Sequence, residues 1–142
     1  AKNIYEMSKL KVPIVSVVIG EGASGGALGI GVCDRMLMFE NTWYSVISPE
    51  GCASILWRDA SKAPEAADSM KVTAQDLVEM GICDKILTEP LGGAHRDFAK
   101  AASILKKAII EEIAMLRKND NISYLDSRID RYYRMGAFDS ED

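Results

Sequence analysis

Apolar positions along this chain follow two periods, one of strands and one of helices. Ile14-Val15-Ser16-Val17-Val18-Ile19 is apolar at every position but one, and glycines follow at 20, 22, 25, 26, 29 and 31. A continuous apolar run that ends in glycine predicts a buried strand over 13–19. The glycines then allow a sharp turn and a close backbone approach before a short helix over 25–33. Met36-Leu37-Met38-Phe39-Glu40 predicts a second strand. Trp43-Tyr44-Ser45-Val46-Ile47-Ser48, only two residues later, predicts a third. Ser48-Pro49-Glu50-Gly51 has the form of a helix start, with Ser48 as cap and Pro49 in the first turn, leading a helix through Trp57.

Beyond a polar loop at 58–62 the pattern turns helical. Pro64 opens a helix to Met70, and Thr73-Ala74-Gln75-Asp76 resembles a capping box for a short helix that Gly81 ends. Ile82 to Leu87 reads as a short strand, and Glu89-Pro90-Leu91-Gly92-Gly93-Ala94-His95-Arg96 as a second glycine loop. Asp97 caps a long helix from Phe98 to about Lys118, apolar at 101, 104, 105, 108 and 109. Asn119-Asp120-Asn121 interrupts the pattern before an amphipathic helix over 122–135. Its expected apolar face is Tyr124, Leu125, Ile129, Tyr132 and Tyr133, and its polar face Asp126, Arg128, Asp130, Arg131 and Arg134. Gly136 ends that helix and the acidic tail 139–142 is expected to fray. At the other end, Ile4, Met7 and Leu10 already have helical spacing, which predicts a fragment of a longer chain. No internal repeat is visible.

Composition narrows the picture. With 48% hydrophobic and 27% charged residues the chain is an ordinary globular sequence, and a net charge of −4 gives no electrostatic case for nucleic acid or an anionic membrane. No apolar run reaches the roughly 18 residues of a membrane span. Cys33, Cys52 and Cys83 are widely spaced among apolar neighbours and read as reduced structural thiols of a cytoplasmic protein. His95 is the only histidine and no CxxC occurs, so zinc is not expected.

Gly20-x-Gly22-x-x-Gly25 matches the dinucleotide fingerprint, and Glu40 falls near the spacing of the ribose-binding acid. A NAD-binding Rossmann module would need a helical crossover after the second strand. Asn41-Thr42 leaves no room for one. What survives is a turn with unpaired N–H groups at a helix start, suited to an anion.

Three segments together carry a specific resemblance: Gly20-Glu21-Gly22-Ala23-Ser24-Gly25-Gly26-Ala27, Tyr44 through Trp57, and Glu89 through Arg96. They resemble the carboxyltransferase α subunits of bacterial acetyl-coenzyme A carboxylase, from the first helix to about residue 115. The resemblance implies an α/β fold of the crotonase (ClpP-like) class, with ββα units coiled into a spiral. Residues 1–96 would be the C-terminal portion of that domain. Residues 97–142 would be a helical extension for packing or oligomer contacts. It also implies transfer of a carboxyl group from carboxybiotin, held on a biotin carboxyl carrier protein, to acetyl-CoA, giving malonyl-CoA in fatty acid synthesis. The implied partners are a zinc-containing β subunit and a second α subunit; the chain itself would hold no metal. Alone, without the upstream half and the β subunit, it is expected to be inactive.

The family places the backbone donors for the biotin ureido oxygen at positions that match Gly25 and Gly26. Gly22, Ala23 and Ser24 are the adjoining candidates for substrate binding, and Gly92, Gly93 and His95 form a second candidate loop. Glu21 and Glu50 remain open between an active-site and a solvated or helix-start role. Related hydratases of the superfamily use two glutamates whose positions match Leu28 and Ser48, and neither is a carboxylate. That argues against another acyl-CoA enzyme of hydratase type.

Overall fold

The structure, a computed structural model, describes residues 1–118 and 123–136. Its strands form two small parallel sheets. β1 (Val15–Val18), β3 (Arg35–Phe39) and β5 (Lys85–Leu87) make one sheet in the order β1-β3-β5. β2 (Glu21–Ala23) and β4 (Trp43–Ser45) make the other. Each of the first two turns of chain therefore runs strand, strand, helix: β1–β2 into α2 (Ser24–Gly31), then β3–β4 into α3 (Pro49–Trp57). This is a ββα repeat in space that the sequence hides, because corresponding residues share no side-chain pattern.

The two-residue link after Phe39–Glu40 now has a structural meaning. β3 and β4 do not pair; the link carries the chain from one sheet to the other, so the crossover demanded of parallel neighbours is not needed there. β2 is not anticipated by the sequence. Glu21-Gly22-Ala23 has little strand propensity, and it is extended because it pairs in register with Trp43-Tyr44-Ser45. Consequently Gly22 and Ala23 belong to a strand rather than to a loop, and the turn into α2 falls at Ser24.

β3 is the central strand, and its alternation divides the core. Met38 points into a cluster with Val18, Ala74, Leu77 and Cys83, whereas Leu37 and Phe39 face Leu87, Ala101 and Ala108. α5 (Ala74–Glu79) supplies the first cluster and α6 (Phe98–Arg117) the second. The Thr73–Asp76 capping box forms as expected, with both reciprocal hydrogen bonds. α4 (Ala63–Met70) packs against α3, and the predicted strand at 82–87 is shortened to β5 because Asp84 turns back to accept from the Met36 N–H at 2.7 Å.

The last helix among the described residues departs most from expectation. α7 (Tyr124–Tyr133) does not bury an apolar stripe; Ile129 is 57% and Tyr133 87% exposed, while Arg128 is only 2% exposed. Arg128 is bidentate to Asp34, Nε to Oδ1 at 3.0 Å and Nη2 to Oδ2 at 2.9 Å. It also donates to the carbonyls of Met7 and Ser8, at the end of α1 (Lys2–Ser8), and of Leu10 and Val12 in the segment that joins α1 to β1. Arg131 binds Asp84 at 2.9 Å and the Ile82 carbonyl at 2.8 Å, and Asp84 is shared with Arg35, which in turn holds the buried Glu112 of α6 at 2.8 Å. Polar residues placed on a solvated face by their periodicity thus anchor the helix. The predicted break at 119–121 and the acidic tail lie outside the described residues.

Candidate functional site

α2 is an unusual helix to build a site on. Its eight residues, Ser24-Gly25-Gly26-Ala27-Leu28-Gly29-Ile30-Gly31, include four glycines, and no side chain caps its N-terminus. Each glycine weakens a helix by about 1 kcal/mol relative to alanine. The strained position is not a glycine: Ser24 has φ 53°, in the left-handed region, and it sets the direction in which the following N–H groups point. Gly25 and Gly26 come next, exposed, and a Cβ built on either meets no atom within 4 Å. Within this chain, packing does not demand glycine at these two positions. Open space over uncapped N–H groups suits a group with negative charge.

The neighbouring glycines serve a different purpose. A Cβ on Gly22 would stand 2.8 Å from Cδ2 of Tyr44, and one on Gly31 would stand 2.8 Å from the Tyr44 hydroxyl. Close packing therefore accounts for Gly31. It does not account for Gly29, where a Cβ meets nothing within 4 Å. Tyr44 faces Gly22 in the β2–β4 ladder, passes over it, and donates its hydroxyl to the Ala27 carbonyl inside α2. Burial raises its pKa from 10.0 to about 12.

Gly22-Ala23-Ser24-Gly25-Gly26 also has the strand–serine–helix form of a nucleophile elbow. Chemistry of that kind needs a base beside the hydroxyl. His95, the sole histidine, lines a different cleft to which Ser24 does not contribute.

That second cleft, of about 750 Å³, is where Gly92, Gly93 and His95 come together with Gly20, Glu40, Asn41 and Glu89. Gly92 (φ 85°) and Gly93 (φ 101°) both need the left-handed backbone that glycine permits. The carboxylates here are engaged with backbone. Glu40 accepts from the Glu89 N–H at 2.8 Å, and Glu89 accepts from the Ala94 N–H at 2.7 Å. Glu40, which scored as a ribose-binding acid by spacing, instead ties the end of β3 to the loop after β5. Gly25 and Gly26 do not line this cleft. Of the glycine turn, Gly20 lines this cleft.

The remaining candidates are placed simply. Glu21 and Glu50 are exposed, Glu50 in the first turn of α3. Leu28 is 59% exposed beside the glycine turn, and Ser48 caps α3 by accepting from the Gly51 N–H at 3.2 Å. Cys33 and Cys83 are buried free thiols whose pKa values are raised by desolvation, and Cys52 is a half-buried free thiol. Among the described residues no three His, Cys, Asp or Glu side chains stand together as a metal site, and no helix is long and apolar enough to cross a membrane. Tyr44 is the residue that sequence reasoning missed. The signal available was its aromatic ring within a strand, but the glycines that receive it are remote in sequence.

A profile of the family described as "Acetyl co-enzyme A carboxylase carboxyltransferase-like" matches residues 1–136. The acetyl-coenzyme A carboxylase carboxyl transferase subunit alpha of Pelodictyon phaeoclathratiforme is 51% identical over 142 residues, which is 100% of this chain but 42% of that protein. The chain therefore spans less than half the length of that relative. A Pseudomonas malonate decarboxylase hetero-tetramer contains a chain that superposes with TM-score 0.62 at 14% identity, covering 92% of this chain and 53% of its own. An enoyl-CoA hydratase from Mycobacterium avium subsp. paratuberculosis superposes with TM-score 0.56 at 18% identity, over 93% of this chain and 52% of its own. These likenesses bear out the crotonase spiral as the fold. The chain belongs to the acetyl-coenzyme A carboxylase carboxyltransferase family and corresponds in sequence to part of the α subunit.

Proposed function

We propose that this chain forms one wall of a carboxyl-transfer site, the wall that faces the ureido ring of carboxybiotin on its carrier protein. The observation that carries the reading is the first turn of α2. Gly25 and Gly26 present uncapped N–H groups under open space that no side chain among the described residues fills. The ring of biotin fits there, because a planar ureido group approaches closely only where no Cβ intervenes. Carboxybiotin supplies the carboxyl group, and acetyl-CoA receives it to give malonyl-CoA, the committed step of fatty acid synthesis. The part played by this chain is electrostatic. Two preorganised N–H donors and the positive end of α2 stabilise negative charge on the ureido oxygen, and one such donor is worth about 3 kcal/mol of barrier.

Leu28, standing where a hydratase would carry an acid, supplies no carboxylate to activate water. A zinc-containing β subunit would supply the opposite wall and the coenzyme A side. A second α subunit would pack on the C-terminal helices, where Ile110, Met115, Ile129 and Tyr133 are exposed. The assembled enzyme would work in the cytoplasm, and this segment alone would be inactive. Residues 1–96 would carry the chemistry and 97–142 the contacts.

The test uses the full-length α subunit assembled with its β partner, assayed for malonyl-CoA-dependent carboxylation of biotin. Gly25→Val with Gly26→Val should abolish activity while assembly persists. Activity retained by an assembled double variant overturns the assignment.

A further inference from the structure

We infer that Tyr44 is a positioning residue for the proposed carboxyl-transfer site: its hydroxyl holds α2 so that the Gly25 and Gly26 N–H groups keep their aim. The inference rests on that reading of the glycine turn and adds a residue to it.

The argument begins from the weakness of α2. Half of its eight residues are glycine and its N-terminus lacks a side-chain cap, so helix propensity does not keep it in place. Apolar packing holds it at two points: Ala27 is its one fully buried residue, and Ile30 packs partly buried against the core. What grips the helix is Tyr44, which donates its hydroxyl to the carbonyl of Ala27, the residue directly after Gly26. A path for the ring has been cleared at both ends. It crosses Gly22 at its strand partner position and ends against Gly31, and a methyl at either site would collide at 2.8 Å. A tyrosine flanked by two glycines that have no other packing reason reads as a device to reach one carbonyl. Burial keeps the phenol protonated, up to a pKa of about 12, so it remains a donor throughout neutral and mildly alkaline pH.

Positioning of this kind has a kinetic signature distinct from loss of fold. Tyr44→Phe keeps the ring over Gly22 and removes only the hydroxyl. In the full-length α subunit assembled with its β partner, kcat for malonyl-CoA-dependent biotin carboxylation should fall about 10- to 100-fold, the upper end being the cost of roughly 1 Å of misplacement. KM for malonyl-CoA should stay within about 2-fold, since uniform binding is untouched. Gly31→Ala pushes on the same hydroxyl and should lower kcat similarly. The double variant should be no worse than the poorer single one, because both act through a single contact. Tyr5→Phe, at a 61% exposed site on α1, serves as the control and should match wild type.

A Tyr44→Phe enzyme with wild-type kcat overturns the inference, as do strictly multiplicative losses in the double variant. Amide hydrogen exchange in the α2 peptide provides a readout independent of the reaction. Exchange there should quicken in Tyr44→Phe, and unchanged exchange refutes the clamp. A wild-type complex that fails to carboxylate biotin would instead refute the proposed function, leaving exchange to decide the clamp.

Discussion

Replacing Arg128 by methionine tests the polar anchoring of α7. The guanidinium is 2% exposed and the Asp34 side chain that faces it 5% exposed, so both charges lie out of water. Methionine keeps most of the volume and removes the charge with all of its donors. Of the four carbonyls released, those of Leu10 and Val12 belong to exposed residues and can be rehydrated, which limits their share of the cost. The Asp34 carboxylate cannot be rehydrated so easily. It retains one N–H donor, Ile14 at 2.7 Å, and otherwise becomes a buried charge without a counter-ion. Breaking one side of a buried pair in this way costs about 3–5 kcal/mol, which is roughly two to three and a half decades in the folded-to-unfolded ratio. The measurement is a urea titration of the intact subunit, read as a shift in midpoint at constant slope. Adding Asp34→Asn should restore part of the loss, because the orphaned charge goes with it. A single variant within about 1 kcal/mol of wild type, or losses from the two sites that simply add, would refute the reasoning.

Two further outcomes follow from burial. Cys33, Cys83, Tyr44 and Tyr132 all have pKa values raised by desolvation from ordinary values of 9.0 for the thiols and 10.0 for the phenols. The folded state therefore holds these protons more tightly than the unfolded chain. Stability is complete below about pH 9 and declines above it, first through the thiols and then through the phenols. Thermal melts between pH 8 and 11 should show the decline, and a flat profile would contradict it. Leu37→Ala, at a side chain with no exposure in the central strand, should cost about 2–5 kcal/mol, and a loss under about 1 kcal/mol would mean that the core around β3 collapses onto the gap.

What the sequence reveals about this fold depends on the range of the forces involved. β1 and β3 are legible because their apolar runs are local, and α3 announces itself through Ser48 and Pro49. β2 is illegible, since Glu21-Gly22-Ala23 becomes a strand only when Trp43-Tyr44-Ser45 lies beside it. α7 is misread for the same reason at longer range. An arginine on a helix face looks solvated until Asp34, 94 residues away in sequence, is brought to it. At the site the glycine motif is conspicuous, but its glycines do different work. Which of them make room for Tyr44 and which lie open depends on where β4 falls. The strained residue, Ser24, carries no mark in the sequence because serine rarely takes a positive φ.

The interleaved strand order has a consequence for how the chain reaches this state. Among the described residues no strand pairs with the one next to it in sequence: β1 waits for β3, β2 for β4, and β3 for β5. Every ladder must close a loop before it gains a hydrogen bond, a topology that slows folding and leaves strand edges open meanwhile. During synthesis the first sheet stays incomplete until residues 85–87 are made. The carbonyls that Arg128 gathers from the first dozen residues stay without that donor longer still. α7 is thus made after the segment it latches, so early termination or a cut ahead of α7 would leave the stretch between α1 and β1 without its Arg128 clasp.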